Sequence, residues 1–440
     1  MLAAELASAR NTHVSGACLR AERCPRENFS RGQAPRLTIT CPPVDSPAVF
    51  HPLADFIRRM RSTLRVILLL LLVMPLGLGM PANVRAEGDW EVTAGSKAAL
   101  DRGLEWLARS QGPKGNWDSE DLGLVSMGAL AFLAEGHAPG RGRYGDTVQK
   151  ALDYVLRNAK PSGLLNVSGD QRDMYNHGLS TFVLGQAFGM TGDPRIGQSL
   201  DRALKLIANT QCDDGGWDYR ARRISNGHDL SLAVMQAKAL RSAVDSGLEV
   251  PPEVISAAIK GVREHYHSTA AGRNVDVAVL QRSPGQFHYG RHGGGGATIA
   301  MAACGVVCLQ EFGQYDDWRI SKNMDVIGRA VKDSKVKSGS GEMPFDAYTL
   351  YYVGQAMYQV GGQHWTDAYP RLRDSLVTGQ QRDPKDQNRE GAWHDNKRVS
   401  GKPGDLYATS VACFILAIPN RYLPILQEGK IDSIRNQFQK

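Results

Sequence analysis

Six stretches of the chain are apolar on nearly every side, and each starts just after a polar or glycine-rich loop. They read "LGLVSMGALAFLAEG", "YNHGLSTFVLGQAFGM", "DLSLAVMQAKAL", "ATIAMAACGVVCLQEF", "AYTLYYVGQAMYQV" and "LYATSVACFILAI". They begin near Leu122, Tyr175, Asp229, Ala297, Ala347 and Leu406, so successive starts lie 50 to 68 residues apart. Helices without a polar face belong in an interior. Between them run stretches with one apolar stripe at helical spacing: Leu100, Leu104 and Leu107; Val148, Leu152 and Val155; Leu200, Leu204 and Ile207; Ile255, Ile259 and Val262; Met324, Ile327 and Val331; Trp365, Tyr369, Leu372 and Leu376. A one-sided stripe predicts a surface helix that turns this side inward. Apolar residues recur at three and four positions rather than at two, so strand signals are almost absent. Six outer helices alternating with six inner ones predict an all-α fold, an (α/α)6 toroid of six outer/inner helix pairs, each burying its apolar face against its neighbours. An open solenoid is the alternative, but its end repeats would carry polar caps and the last inner stretch is apolar.

Three outer stretches are followed by the same spacing, Gln-x3-Gly-x-Trp. The residues are Gln111, Gly115 and Trp117; Gln211, Gly215 and Trp217; and Gln387, Gly391 and Trp393. A glycine permits a sharp turn after a helix, an indole covers the helix end, and a glutamine amide satisfies backbone groups left open there. These residues therefore read as fold residues.

The repeated Gln/Gly/Trp turns resemble those of squalene and hopene cyclases, within the superfamily that includes protein prenyltransferase β-subunits. The resemblance spans Ala94 to Pro424, and "MYNHGLSTFVLGQAFGMTGDP", "QCDDGGWDYR" and "FDAYTLYYVGQAMYQVGG" are most similar to exported bacterial prenyltransferase and squalene-oxidase repeat proteins. It implies a central cavity for an isoprenoid or other apolar ligand. The cyclases place an acidic DxDD motif shortly after a "GGW" turn, where this chain has Asn226, Gly227, His228 and Asp229. Only the last acid is present, which puts turnover in doubt. The prenyltransferases bind zinc through a histidine of the last inner helix, where this chain has Ala408. No zinc and no other cofactor is expected.

His228 and Asp229 form a candidate catalytic acid/base pair, with Asp229 as a plain helix cap the alternative. Tyr175, His177, Phe182, Phe345, Asp346, Tyr348, Tyr351, Tyr352, Asp405 and Tyr407 are candidate ligand-cavity residues, since they sit at or near inner-helix starts. Aromatic faces there stabilise cations or simply pack as core. His177, His228, His288 and His292 also precede or open inner helices, but their spacing matches no zinc pattern and no metal is assigned. Gly293 to Gly296 read as a turn: no Lys-Ser/Thr follows as in a phosphate loop. Two further function classes stay open: a non-catalytic interaction protein, and a polysaccharide-active enzyme using Asp173, Asp346 or Asp405 as acids.

The N-terminus changes the picture of charge and location. The chain carries a formal +7, but residues 1–86 hold 11 Arg, no Lys and 5 acids, or +6. The remaining near-neutral part offers no electrostatic reason to expect a nucleic-acid partner. Arg61 and Arg65 precede the run "VILLLLLVMPLGLGM", and Val84 and Ala86 occupy signal-peptidase positions. This predicts a signal peptide over 60–86, cleavage after Ala86, export to the periplasm, cell envelope or exterior, and a toroid over 87–440 without an integral membrane span. Residues 1–59 read as a disordered leader or a mis-assigned start. Cys18, Cys24 and Cys41 lie in that leader, and Cys212, Cys304, Cys308 and Cys413 make no disulfide framework.

Overall fold

The computed structural model describes residues 90–270, 275–395 and 404–427, so the leader, the signal segment and the cleavage site lie outside it. In chain order it contains α1 (Ala94–Ser110), α2 (Leu122–Ala134), α3 (Gly145–Arg157), α4 (Asp173–Thr191), α5 (Pro194–Thr210), α6 (Leu230–Asp245) and α7 (Pro252–Arg263). A short insertion follows: β1 (Tyr266–Ser268), α8 (Val277–Arg282) and β2 (Gly285–Phe287). The chain continues with α9 (Ile299–Glu311), α10 (Trp318–Asp333), α11 (Ala347–Val360), α12 (Gly362–Gly379) and α13 (Gly404–Ala417).

Inner helices α2, α4, α6, α9, α11 and α13 pack side by side in that order, α13 packs back onto α2, and outer α1 packs on α12. This closed order makes the molecule a toroid rather than a solenoid. Burial follows the apolar pattern. Every residue of α2 is buried, whereas α5 buries only Ile196, Ser199, Leu200, Ala203, Leu204, Ile207 and Thr210. Strand pairing was nearly absent from the sequence pattern, yet an antiparallel hairpin pairs Tyr266 with Phe287 and Ser268 with Gly285. It occupies the longest interval between inner helices. Three-residue strands are too short for an alternating pattern to register.

The three Trp turns close outer-helix ends as their chemistry suggests. The indole N–H groups of Trp117, Trp217 and Trp393 donate to the carbonyls of Leu107, Ile207 and Leu376, at 2.8, 2.9 and 3.0 Å. Gln111 Nε2 donates to Thr147 O at 2.7 Å, and Gln211 Nε2 to Val254 O at 2.9 Å, tying each turn to the next outer helix. The third turn corrects the sequence reading. Gln380, not Gln387, reaches Gly391 O at 3.0 Å and Ala99 O at 2.8 Å. The loop between Gln380 and Gly391 is longer than in the other two turns, so equal sequence spacing selected the wrong glutamine. Gln380→Ala should therefore cost about 1–3 kcal/mol by leaving the buried Gly391 carbonyl unpaired and losing the tie to α1, while Gln387→Ala stays within about 0.5 kcal/mol. Denaturant midpoints of the two variants check the assignment, which equal losses would overturn.

Glycine is required at Gly215, where φ is +82° and an added Cβ would stand 2.0 Å from Ala257 O. The turn backbone there lies directly against α7, and no side chain fits between.

Among the described residues no helix is long and apolar enough to cross a membrane. Cys212, Cys304, Cys308 and Cys413 are all buried and free. Burial pushes the Cys304 and Cys308 thiols up, as for small core residues.

Candidate ligand-binding rim

The inner helices all start at one end of the ring, and five of the six starts carry an aspartate. Asp121, Asp229 and Asp346 are the residues before α2, α6 and α11, Asp173 opens α4, and Asp405 lies in the first turn of α13. α9 is capped by Thr298 instead. A carboxylate there accepts from open backbone N–H groups and meets the positive end of the helix. Asp346 does so from Thr349 N at 3.0 Å, and Asp229 from Leu232 N at 3.2 Å.

Two of these aspartates are joined by a buried polar belt. Arg172 pairs with Asp121 at 2.7 Å. Asn176 Nδ2 donates to Asp121 Oδ1 at 3.3 Å and to Asn166 Oδ1 at 2.9 Å. Asn166 Nδ2 in turn donates to Asp173 Oδ1 at 2.7 Å, and the other oxygen of Asp173 accepts from Ala221 N at 3.1 Å. That last bond anchors the loop after Trp217, which carries Tyr219 to Asp229.

Asp229 is the centre of a tyrosine cluster. Tyr289 Oη donates to its Oδ2 at 2.5 Å, Tyr219 Oη donates to the same oxygen, and Ser231 Oγ donates to Oδ1. With Ser231 committed, Tyr175 Oη donates to Ser231 Oγ at 2.7 Å. Burial, then the Asp229 charge, pushes the Tyr175, Tyr219 and Tyr289 phenols up, so they remain protonated donors. Tyr175 stacks on Tyr219 at 5.8 Å, and Tyr219 stacks on His228 at 4.4 Å. The structure does not bring His228 to Asp229. Its Nε2 lies 2.8 Å from Asp218 instead, with the side chain 42% exposed. Burial pulls the Asp218 carboxyl up, but the Arg222 hydrogen bond and the charges of His228 and Arg222 outweigh it and leave it below its ordinary value.

Beside the Asp121 end of the polar belt the rim opens into a cleft of about 540 Å³ lined by Trp117, Asp118, Glu120, Asp121, Ser168, Arg172 and Asp405, among others. Small-molecule sites begin at about 300 Å³. Of the lining residues, four carry carboxylates and one a guanidinium, so the cleft is acidic. Trp117 and Asp118 both adopt left-handed backbone, with φ of 51° and 53°. Trp217 and Trp393 do not share this conformation and are buried, whereas Trp117 is partly exposed.

The other candidate residues separate into two groups. Tyr175 and Tyr407 keep 8% and 6% exposure, and Phe345, Asp346, Tyr348 and Asp405 are partly exposed, so these stand at the rim. Asp405 pairs with His394 Nδ1, and Tyr348 Oη lies 3.3 Å from Cys304 Sγ. His177, Phe182, Tyr351 and Tyr352 are 0% exposed and wall no open space. His177 is a core residue: Nδ1 accepts from Leu165 N at 3.2 Å, which leaves Nε2 to donate to Ala203 O at 3.1 Å.

Protonating His177 would aim a second N–H at a backbone N–H, and burial holds its pKa down at about 4. Because the folded value lies below the ordinary 6.5, the unfolded chain takes up the proton first, and stability falls as pH drops through 6.5 toward 4. The expected loss between about pH 7 and 4.5 is about 2 kcal/mol. His177→Gln should flatten that part of the stability–pH curve, and an unchanged slope would overturn the assignment.

The three of these histidines whose side chains are described, His177, His228 and His288, do not gather. His288 meets His267 edge-on at 4.7 Å, His228 lies on Tyr219, and the side chain of His292 lies outside the described residues. Among the described residues no three His, Cys, Asp or Glu side chains are placed to hold a metal. Gly293 to Gly296 form a closed turn, with Gly290 N bonded to Gly294 O at 2.7 Å and Tyr289 N to Gly296 O at 3.1 Å.

Sequence reasoning missed Asp118, Glu120, Asp121, Arg172, Asp218, Tyr219 and Tyr289, which lie in loops without a motif. The one available signal was an aspartate directly ahead of an inner helix, present at Asp121 as at Asp229 and Asp346.

No protein-family profile matches the chain, and no curated protein matches it in sequence. Among solved structures it is similar to an α-1,6-mannanase of Salegentibacter sp., at 11% identity over 77% of this chain and 100% of that one, with a TM-score of 0.48. It is similar to an α-mannanase of Bacteroides thetaiotaomicron at 12% identity, over 73% of this chain and 94% of that one, with a TM-score of 0.49. It is also similar to a type II terpene cyclase of Scytonema at 12% identity, over 75% of this chain and 99% of that one, with a TM-score of 0.46. By its own closed order of helices, the chain is an α/α toroid.

Proposed function

We propose that the rim cleft binds a neutral polyhydroxylated ligand, an oligosaccharide, in preference to an isoprenoid held in the ring centre. The observation that carries this reading is where open surface remains. The deep aromatics Phe182, Tyr351 and Tyr352 are fully packed, whereas the rim keeps an accessible cleft rich in carboxylate acceptors beside the partly exposed Trp117. Carboxylates accept from sugar hydroxyls, an aromatic face covers the apolar side of a sugar ring, and an acidic cleft repels a diphosphate.

The isoprenoid reading implied by the resemblance needs those packed aromatics to move aside. It forms the other arm of the test. The full chain is titrated with neutral oligosaccharides, with squalene and with linear prenyl diphosphates, and each mixture is then searched for product by mass spectrometry. Saturable oligosaccharide binding that weakens roughly tenfold in Asp118→Asn supports the rim reading. That substitution suits the left-handed backbone at position 118. Squalene or prenyl-diphosphate binding with no response to any oligosaccharide would sink the rim reading and support the central-cavity one. Turnover of either ligand would add an enzymatic role, with Asp121, Asp173, Asp229 and Asp405 the rim carboxylates to substitute first.

Export rests on the N-terminal segment alone. N-terminal sequencing of secreted material should begin at Glu87, and an intact Met1 would defeat the export proposal.

A further inference from the structure

We propose that the opposite end of the ring carries a second site, a cavity at the C-terminal ends of α6, α9 and α11 that binds a small organic ammonium ion. The cavity measures about 220 Å³ and is lined by Arg241, Gln310, Glu311, Tyr315, Tyr358, Gln359, Gly361 and Ile425. It is independent of the rim.

Its chemistry is set by two acceptors without donors. Glu311 is 2% exposed, and its Oε1 already takes two bonds, from Lys238 Nζ at 3.0 Å and from Gln359 Nε2 at 2.9 Å. Its Oε2 has no partner, and neither has Gln359 Oε1. The Gln359 amide cannot be turned round to remedy this, because its oxygen would then face the Glu311 carboxylate. Gln355 is committed too, accepting from Lys238 and donating to Tyr351 O at 2.7 Å. A buried carboxylate oxygen left without a donor is costly. An ammonium group brings three donors and no acceptor.

The surrounding charges permit a cation. Lys238 is answered by Glu311, and Arg241 by Asp245 at 2.9 Å, with both members of each pair buried. The local balance is neutral before a ligand enters. The Tyr315 and Tyr358 side chains line the walls, and aromatic faces attract organic cations. The volume corresponds to about seven waters in the liquid at about 30 Å³ each, room for an alkylammonium of a few carbons. Ile425 closes one side. Its segment is held by Ile425 N bonding to Gln186 Oε1 at 3.0 Å and by Tyr358 Oη donating to Leu426 O at 2.6 Å.

The test titrates the full chain with n-butylammonium and with n-butanol by calorimetry, at pH 7. The expected result is one saturable ammonium site per chain, with the alcohol bound at least roughly tenfold more weakly for want of charge-assisted bonds. Glu311→Gln and Gln359→Leu should each weaken ammonium binding by roughly tenfold. Gln359 is only partly buried, so its variant decides the matter if Glu311→Gln does not fold. Three outcomes would overturn the proposal: no saturable ammonium binding to the folded protein, as a cavity holding only water or an inorganic cation would give; equal binding of the alcohol; or unchanged affinity in Gln359→Leu.

Discussion

Lys238→Met is expected to destabilise the fold by about 3–5 kcal/mol, because it leaves the Glu311 carboxylate charged, buried and without its cation. Lys238 and Glu311 are each 1% exposed in their side chains and 3.0 Å apart. The ammonium also lies 4.4 Å from the Phe182 ring centroid and bonds Gln355. Burial pulls the Lys238 pKa down, and the Glu311 charge and hydrogen bond work against it. Pairing makes the buried charge tolerable without making it a large source of stability. Combining Lys238→Met with Glu311→Leu should therefore recover most of the loss, since replacing both charges by apolar groups of similar size is often neutral. Urea denaturation of the two single variants and the double variant measures this. A Lys238→Met cost below about 1 kcal/mol, the range of exposed pairs, would show that the pair is not desolvated as described.

Trp217→Ala is the second large effect, at about 3–5 kcal/mol. The indole is 1% exposed, and its N–H satisfies Ile207 O at 2.9 Å near the end of α5. Truncation opens a cavity beneath the turn and frees that carbonyl together. Trp217→Phe separates the two effects, since it keeps most of the ring volume and loses only the hydrogen bond, for about 1–3 kcal/mol. Trp117→Ala should cost less, because that indole is already partly exposed at the rim cleft. Equal losses at Trp117 and Trp217 would contradict the distinction drawn between the structural turn and the rim turn.

These two sites differ in how far the sequence reveals them. Trp217 announces itself, since its Gln-x3-Gly-x-Trp spacing recurs and the interactions it needs lie within one turn of chain and the helix before it. Lys238 gives no such signal. It stands in "DLSLAVMQAKAL" as a lone lysine among largely apolar neighbours, and its partner Glu311 is 73 residues away. Gln380 and Gln387 show the same limit at close range: spacing favoured the second, and only the path of the loop made the first the bridging amide.

The helical periodicity, the alternation of all-apolar with one-sided helices, and the Trp turns were determined by the sequence alone. Each is a property of neighbouring residues: a helix sets which side chains share a face, and a turn sets which carbonyls lie open. Where the ring has room was decided only by the tertiary structure. Closure of α13 onto α2 brings Asp405 beside Asp118 and Asp121, Trp117 in its left-handed conformation lines that cleft, and packing of α4, α11 and α13 fills the centre with Phe182, Tyr351 and Phe414. A cavity is the space left between surfaces distant in the chain, and it takes shape only when they meet.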